Sequence, residues 1–432
     1  MRDFATSDDP QVQAQLDRLA ALSLPQGRIG IEAIRELLDR LGNPHDRLPP
    51  VFHVAGTNGK GSTCAFLRAM LEAEGLRVHA TTSPHLVRYN ERIRLAGKLI
   101  DDALLAETLG EVLESAEGLA VSFFETTIAA AFLAFSRTPA DACVVEVGLG
   151  GRFDATNVIA RPAVCGIATL GIDHERFLLA PEEGTPQEPL ARIAFEKAGI
   201  AKKGVPLVTQ GYPPVATREI VAAAARAGAP LFMRGQEWSG SADAGLLDYR
   251  DDLVELAFPV PPLAGAHQAD NALLAIAMLI SQDKVVVGPL AMAMGLRSVR
   301  WPARLQRLGK GPLTALAANR DIWLDGGHNP DAGAAIARHF SGQSLHLILG
   351  MLANKDPQAI IGPLEQQAAS VQAVPVPGHE YHEAGAFGTA ARAASNVPEA
   401  LAALPDDGLP VLICGSLYLA GEVLRLNGDL PD

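Results

Sequence analysis

Residues 51–63 read Val-Phe-His-Val-Ala-Gly-Thr-Asn-Gly-Lys-Gly-Ser-Thr, an apolar strand running into a glycine-rich turn that carries a lysine. The chemistry this order suits is phosphate binding. Gly56, Gly59 and Gly61 lack Cβ atoms, so the backbone can turn tightly and aim amide hydrogens at phosphate oxygens. Thr57 and Asn58 complete the loop, and Lys60 adds a mobile positive charge. Ser62–Ala73 reads as a helix whose N-terminus faces the same anion. A plain glycine turn that happens to hold a lysine is the alternative, but the strand before and the helix after are the context a nucleotide site requires. The spacing is unusual. The common loop is Gly-x-x-x-x-Gly-Lys-Ser/Thr, whereas here only Thr57 and Asn58 separate Gly56 from Gly59, and Gly61 stands between Lys60 and Ser62.

A second candidate lies at Cys143-Val-Val-Glu-Val, a strand-like run that ends in Gly148-Leu-Gly-Gly-Arg-Phe-Asp-Ala-Thr-Asn. Open α/β sheets bind ligands at the carboxyl ends of their strands. Glu146 is costly to bury unless paired or metal-bound. Taken alone it could equally face solvent on a shorter strand. Beside a phosphate loop, a magnesium role is the better reading, since this cation prefers oxygen ligands and accompanies nucleotide phosphates. Thr81-Thr-Ser-Pro-His offers Ser83 and His85, and Ile167-Ala-Thr-Leu-Gly-Ile-Asp-His offers Asp173 and His174. Residue chemistry favours Asp173 over His174 as a magnesium ligand. Lys197 reads by itself as a helix-end cation.

The elements that must position these groups alternate. Leu16, Leu19 and Leu22, then Ile34, Leu37, Leu38 and Leu41, fall at helical spacings before the loop. Strand-like runs follow at Arg77–Ala80, Val164–Thr169 and Pro206–Thr209, with alanine-rich helical stretches between several of them. That alternation predicts an α/β fold with a mostly parallel sheet flanked by helices on both faces. Trp238-Ser-Gly-Ser reads as a turn and Leu253–Phe258 alternates, so residues 231–262 are expected to hold a small β excursion. The pattern breaks at Trp301-Pro302. New strands then begin at Ile322–Leu324, Leu345–Leu349, Val371–Pro375 and Val411–Cys414, which predicts a second, smaller Rossmann-like α/β domain. The expected domains are 1–297 and 298–432.

Composition narrows the class. The chain has 432 residues, 48% of them hydrophobic, enough for more than one core. Its net charge is −13 and no basic block offers a nucleic-acid footprint. No apolar run is long enough to span a bilayer, and Met1–Pro10 lacks an export-type apolar region, so no membrane partner and a cytoplasmic location are expected. Cys64, Cys143, Cys165 and Cys414 have no metal or redox spacing and are expected as buried thiols.

The loop belongs to a longer ordered set: Ser83-Pro-His, Phe124-Glu, Glu146-Val-Gly-Leu-Gly-Gly-Arg, Asp154-Ala-Thr-Asn, Asp173-His174, Glu196-Lys-Ala-Gly-Ile, Gly265-Ala-His-Gln, Asn271, Arg304, Asp325-Gly-Gly-His-Asn-Pro and Gly415-Ser-Leu-Tyr. The set spans most of the chain and resembles the ATP-dependent amide ligases of the Mur family. Its short loop with the extra glycine and serine is similar to the folate branch, folylpolyglutamate synthase and dihydrofolate synthase. The resemblance implies ATP and Mg2+ as cofactors, with Ser83, Glu146 and His174 as metal ligands. It implies a carbamylated Lys197, and catalytic roles for Lys60, Lys197 and His328. Gly56 to Ser62, Gln268, Asn271, Arg304 and Asp325 are then nucleotide contacts. His328 and Ser416 place L-glutamate, and Asp154 places the pterin-bearing acceptor, dihydropteroate or a reduced folate. A monomer is expected, and a potassium requirement is left open. Where the family has Pro-Gly-Arg this chain has Pro302-Ala303-Arg304, and its Asp-Gly-Ala-His is Asp325-Gly-Gly-His328. Leu178–Leu190, with Pro181, Pro186 and Pro189, is longer than usual and leaves open the path from His174 to Lys197. Three rivals are a peptidoglycan-precursor Mur ligase, a P-loop kinase or switch, and a catalytically dead binding protein. The first needs an N-terminal domain for which the residues before the loop leave no obvious room, and the third would lack Lys60, Glu146 or His174.

Overall fold

The computed structural model describes residues 5–22, 30–317 and 319–431. The chain is a mixed α/β protein of two compact units. One comprises 1–83, 88–262 and 268–299, the other 84–87, 263–267 and 300–432.

The first unit is organised by an eight-stranded sheet. Its strands are β1 (Val51–Ala55), β2 (Val78–Thr81), β3 (Ile93–Leu95), β4 (Lys98–Leu99), β5 (Ala142–Glu146), β6 (Val164–Ile167), β7 (Leu207–Thr209) and β8 (Leu231–Met233), in the order β4-β3-β2-β5-β1-β6-β7-β8. From β2 to β8 all neighbours run parallel; only β3 and β4 are antiparallel. β1, β2, β5, β6 and β7 are buried along their whole length. This is why they are mostly apolar without alternation, His53, His79, Thr81, Glu146 and Thr209 being the polar exceptions. One core cluster gathers the helices Pro10–Ala20, Glu32–Arg40 and Phe123–Arg137, the last rich in alanine and phenylalanine. Another packs Pro189–Ala198 and Pro214–Ala227 against β6 and β7. The four loops that follow β2, β5, β1 and β6 therefore lie side by side at the carboxyl ends of adjacent parallel strands, the place such sheets offer to ligands.

Residues 231–262 differ in detail from the sequence reading. β8 joins the large sheet, and a separate three-stranded antiparallel sheet follows from β9 (Trp238–Asp243), β10 (Leu246–Asp251) and β11 (Glu255–Pro259). Trp238-Ser-Gly-Ser is thus strand, not turn. The turn is Ala244-Gly245, both with positive φ (+48° and +84°), as two-residue hairpins demand.

The second unit carries a six-stranded sheet of β12 (Gln306–Arg307), β13 (Ile322–Leu324), β14 (Leu345–Leu349), β15 (Ala368–Ala373), β16 (Arg392–Ala393) and β17 (Val411–Cys414). Its order is β12-β13-β17-β14-β15-β16, with only β12 antiparallel. Asp325 follows β13 and Ser416 follows β17, so these two sit at the carboxyl ends of neighbouring strands. All four cysteines are buried free thiols, and no helix among the described residues is long and apolar enough to cross a membrane.

Candidate active site

The loop after β1 is tied down before any ligand is considered. Thr57 N and Asn58 N both donate to Thr169 O, at 2.8 and 3.2 Å, and the Thr57 hydroxyl donates to Gly171 O at 2.9 Å. Gly59 adopts φ +83°, and a Cβ there would lie 2.2 Å from Asn271 Oδ1, so only glycine lets the loop pass this side chain. Lys60 opens the helix Lys60–Ala73, with Gly61 and Ser62 in its first turn. The Lys60 side chain curls back so that Nζ donates to Gly56 O (3.0 Å) and Thr57 O (3.2 Å).

Lys197 meets the same carbonyl. It lies in the last turn of Pro189–Ala198, only 4% exposed, and its Nζ donates to Gly56 O at 2.8 Å. Burial and the nearby Lys60 charge pull its pKa from 10.5 down to about 7. An amine that is substantially neutral at neutral pH is a nucleophile rather than a fixed cation.

Glu146 ends β5, 6% exposed, and its Oε2 accepts from Ser83 N at 3.1 Å, so the loops after β2 and β5 are joined at this carboxylate. A carboxylate and a serine hydroxyl are the hard oxygen donors a magnesium ion takes, so this pair fits the expected cation. His174 stands in left-handed backbone (φ +54°) before the short helix Glu175–Leu178, exposed. Among the described residues, no three His, Cys, Asp or Glu side chains group closely enough to hold a metal, so any site here draws on hydroxyl, backbone or substrate oxygens.

Gln268 and Asn271, on the helix His267–Ile280, are both buried. Asn271 Nδ2 donates to Gln268 Oε1 at 3.2 Å, while Gln268 Nε2 is a buried donor with no partner. A donor in that state fits a site completed by a ligand. Arg234 Nη1 braces this helix, donating to Asp270 Oδ1 (2.6 Å) and Gln210 Oε1 (3.0 Å). The sequence carries no signal for Arg234; its partners come from distant elements.

Asp154 is 3% exposed. Its oxygens accept from Leu149 N (2.8 Å), Thr156 N (3.0 Å) and the Thr156 hydroxyl (2.5 Å). Burial raises its pKa, and these donors act against that. Three donors engage both oxygens of the carboxylate. The residue is therefore engaged in holding the loop after β5. On that loop a Cβ at Gly148 would fall 2.3 Å from Phe124 Cζ, so the tip of the aromatic ring lies directly on the glycine.

The long segment after His174 is anchored, which resolves the path left open by the sequence. Glu182 binds Arg152 and Arg192 (2.5 and 3.0 Å), and Glu196 binds the same two arginines (2.8 and 3.0 Å). The closed square fixes residues 179–188 onto the helix that carries Lys197. A cleft of about 480 Å³ runs between this segment and the loop after β5, lined by Leu149, Arg152, Phe153, Phe177 and Glu183 among others.

In the second unit, Asp325 is 6% exposed and holds two backbone segments. Oδ2 accepts from Leu305 N (2.7 Å) and Oδ1 from Gly327 N (2.6 Å). Arg304 lies between Ala303 (φ +56°) and Leu305 (φ +43°), so a strained residue flanks it on each side in the chain. The Ala-for-Gly departure at 303 therefore carries a backbone cost. Ala303→Gly is expected to stabilise this unit by about 0.5–1 kcal/mol, since glycine enters left-handed space freely but has more freedom to lose from the unfolded chain. Thermal unfolding checks this, and a lower unfolding temperature contradicts it. His328 Nδ1 lies 3.0 Å from Gly326 O, and Ser416 caps the helix Leu417–Asn427 through Tyr418 N.

No family model matches the chain. It is 34% identical to the folylpolyglutamate synthase of Lacticaseibacillus casei over 417 residues, covering 90% of this chain and 92% of that protein. Three further relatives are longer, and the chain spans 49%, 48% and 55% of them. Among solved structures, E. coli FolC in complex with DHPP and ADP matches with a TM-score of 0.84 at 28% identity, covering 97% of each chain. The bifunctional folylpolyglutamate synthase/dihydrofolate synthase of Yersinia pestis CO92 complexed with AMPPNP and Mn ion matches with a TM-score of 0.82 at 28% identity, covering 96% of this chain and 97% of that one.

Proposed function

The chain belongs to the folylpolyglutamate synthase/dihydrofolate synthase family, and from that premise we propose that it is an ATP-dependent ligase joining L-glutamate to dihydropteroate and to the glutamyl chain of reduced folates. The observation that carries this reading is the meeting of Lys60 and Lys197 on the Gly56 carbonyl, in a loop set beside Glu146 at the sheet's carboxyl edge. Two amines and a carboxylate at a glycine-rich loop suit phosphoryl transfer, which asks for alignment and charge neutralisation rather than covalent help.

The acceptor's carboxylate attacks the γ-phosphate of ATP, forming an acyl phosphate and releasing ADP. The α-amine of L-glutamate then attacks the acyl carbon, and phosphate leaves as the amide forms. Lys60 neutralises charge on the transferring group, and the loop amides hold the phosphates. Gln268 offers its unpartnered amide to the nucleotide. A magnesium ion held by Ser83, Glu146 and His174 would neutralise phosphate charge. Neutral Lys197 adds CO2 at Nζ and loses one proton, which gives a carbamate and a further anionic ligand near that ion. Asp154 and Phe124 serve the acceptor through the loop after β5, and His328 and Ser416 serve L-glutamate.

ADP release measured with each substrate omitted in turn tests this. A ligase releases ADP at full rate only with acceptor and glutamate together; release with ATP and magnesium alone would favour a kinase-like or switch function. Glu146→Gln is expected to raise the magnesium concentration at half-maximal rate by about 10–100-fold, by analogy with the loss of metal-site support. An unchanged magnesium titration contradicts a ligand role.

A further inference from the structure

The polar residue least expected in the apolar strand β1 is His53, which is 0% exposed and paired on both sides by parallel strands. Its Nε2 lies 2.8 Å from the Thr156 hydroxyl oxygen, and its Nδ1 has no partner. Thr156 in turn lies 2.5 Å from Asp154 Oδ1.

Donor counting gives this chain a direction. Asp154 accepts from two backbone amides and the Thr156 hydroxyl, with both oxygens engaged, which suits an ionised carboxylate with no proton to give. The Thr156 hydrogen is therefore committed to Asp154, and toward His53 the hydroxyl can only accept. Nε2 must then carry the imidazole proton and Nδ1 the lone pair. The unpartnered Nδ1 agrees, because a buried N–H without an acceptor is rarer than an unfilled acceptor. Burial also holds the ring neutral, its pKa lowered to about 3.

We propose that His53 is a positioning residue for the acceptor substrate: through Thr156 it orients the Asp154 carboxylate, and through Asp154 it sets the Gly148–Leu149 loop on which Phe124 lies. The inference rests on the reading of that loop as the acceptor's seat. His53 touches no reacting atom. It supplies a fixed donor from the sheet interior, so the Thr156 hydroxyl has one rotamer and the carboxylate one orientation. The loop then meets the acceptor already formed, and less ordering remains to be done on binding.

The test compares His53→Leu, His53→Gln, Thr156→Val and the Leu/Val double variant, with Asp154→Asn as the control. His53→Leu is expected to raise KM for dihydropteroate by about three- to tenfold, the scale of one net hydrogen bond, with KM for ATP and kcat nearly unchanged. Glutamine places an amide nitrogen near the position of Nε2, so His53→Gln should recover most of the loss. The double variant should be no worse than Thr156→Val alone, because both changes cut one chain. Equal damage from Leu and Gln, a parallel rise in KM for ATP, or additive effects in the double variant would overturn the proposal. In the wild-type protein, imidazole 15N shifts read the tautomer directly. An Nε2–H ring is expected, and Nδ1–H overturns the hydrogen-bond chain whatever the kinetics. If Asp154→Asn leaves the acceptor KM unchanged, the acceptor-seat reading fails and the function given to His53 falls with it, while the 15N result still decides the chain itself.

Discussion

Lys60→Ala is expected to lower kcat by about a thousandfold, within the range seen when one charge-stabilising group is lost from phosphoryl or acyl transfer. The fold should survive. Among the described residues, Lys60 Nζ hydrogen-bonds to the Gly56 and Thr57 carbonyls, while the loop is held separately by Thr57 and Asn58 on Thr169 and by the Thr57 hydroxyl on Gly171. Circular dichroism and unfolding temperature should therefore match wild type. A near-normal kcat would remove the phosphate-loop assignment. Lys60→Arg is also expected to be poor, because a planar guanidinium does not reproduce a compact ammonium bonded to two adjacent carbonyls.

Lys197→Ala should be the second most damaging change, by about a hundredfold or more, if a charge-bearing ligand is lost from the metal environment. Its chemistry predicts a distinct signature. With a pKa near 7, the amine is about half neutral at that pH and largely neutral one unit higher, whereas a lysine at 10.5 would be almost wholly protonated. Carbamate formation needs the neutral amine. At fixed dissolved CO2, carbamate occupancy should rise as pH passes through about 7. 13CO2 labelling read by carbonyl NMR checks this, and the absence of a lysine carbamate signal would remove it. The sign for stability follows from the same value. In CO2-free buffer the unfolded chain binds more protons at this residue between about 7 and 10.5, so stability should rise with pH across that window, and by less in Lys197→Ala.

Much of this was legible before the structure. β1, β5 and β17 are buried on both faces, so their sequences are apolar runs broken only by His53 and by Glu146 at the end of β5, and they do not alternate as solvent-facing strands do. The phosphate loop is local in sequence, and its glycines answer to steric demands that a sequence can carry. β9 failed for the opposite reason. Ser239-Gly-Ser has turn composition, and only pairing with β10 makes it a strand. Lys197 likewise reads as a surface cation at a helix end, because burial is a tertiary property. The strain at Ala303 and Leu305 comes from backbone angles that composition does not reveal, and the bracing of the helix His267–Ile280 by Arg234 arises between residues distant in sequence. His53 left one trace, a polar residue inside a strand that should have none.

One ATP-dependent site is proposed to ligate L-glutamate to two acceptors. The most direct test is incorporation of radiolabelled L-glutamate with ATP and magnesium, run separately on dihydropteroate and on tetrahydrofolate. Incorporation into both products, each lost in Lys60→Ala, is the expected result. Incorporation into neither, with ATP consumed on a UDP-muramyl acceptor or with no acceptor present, would contradict the account and leave only the nucleotide site standing.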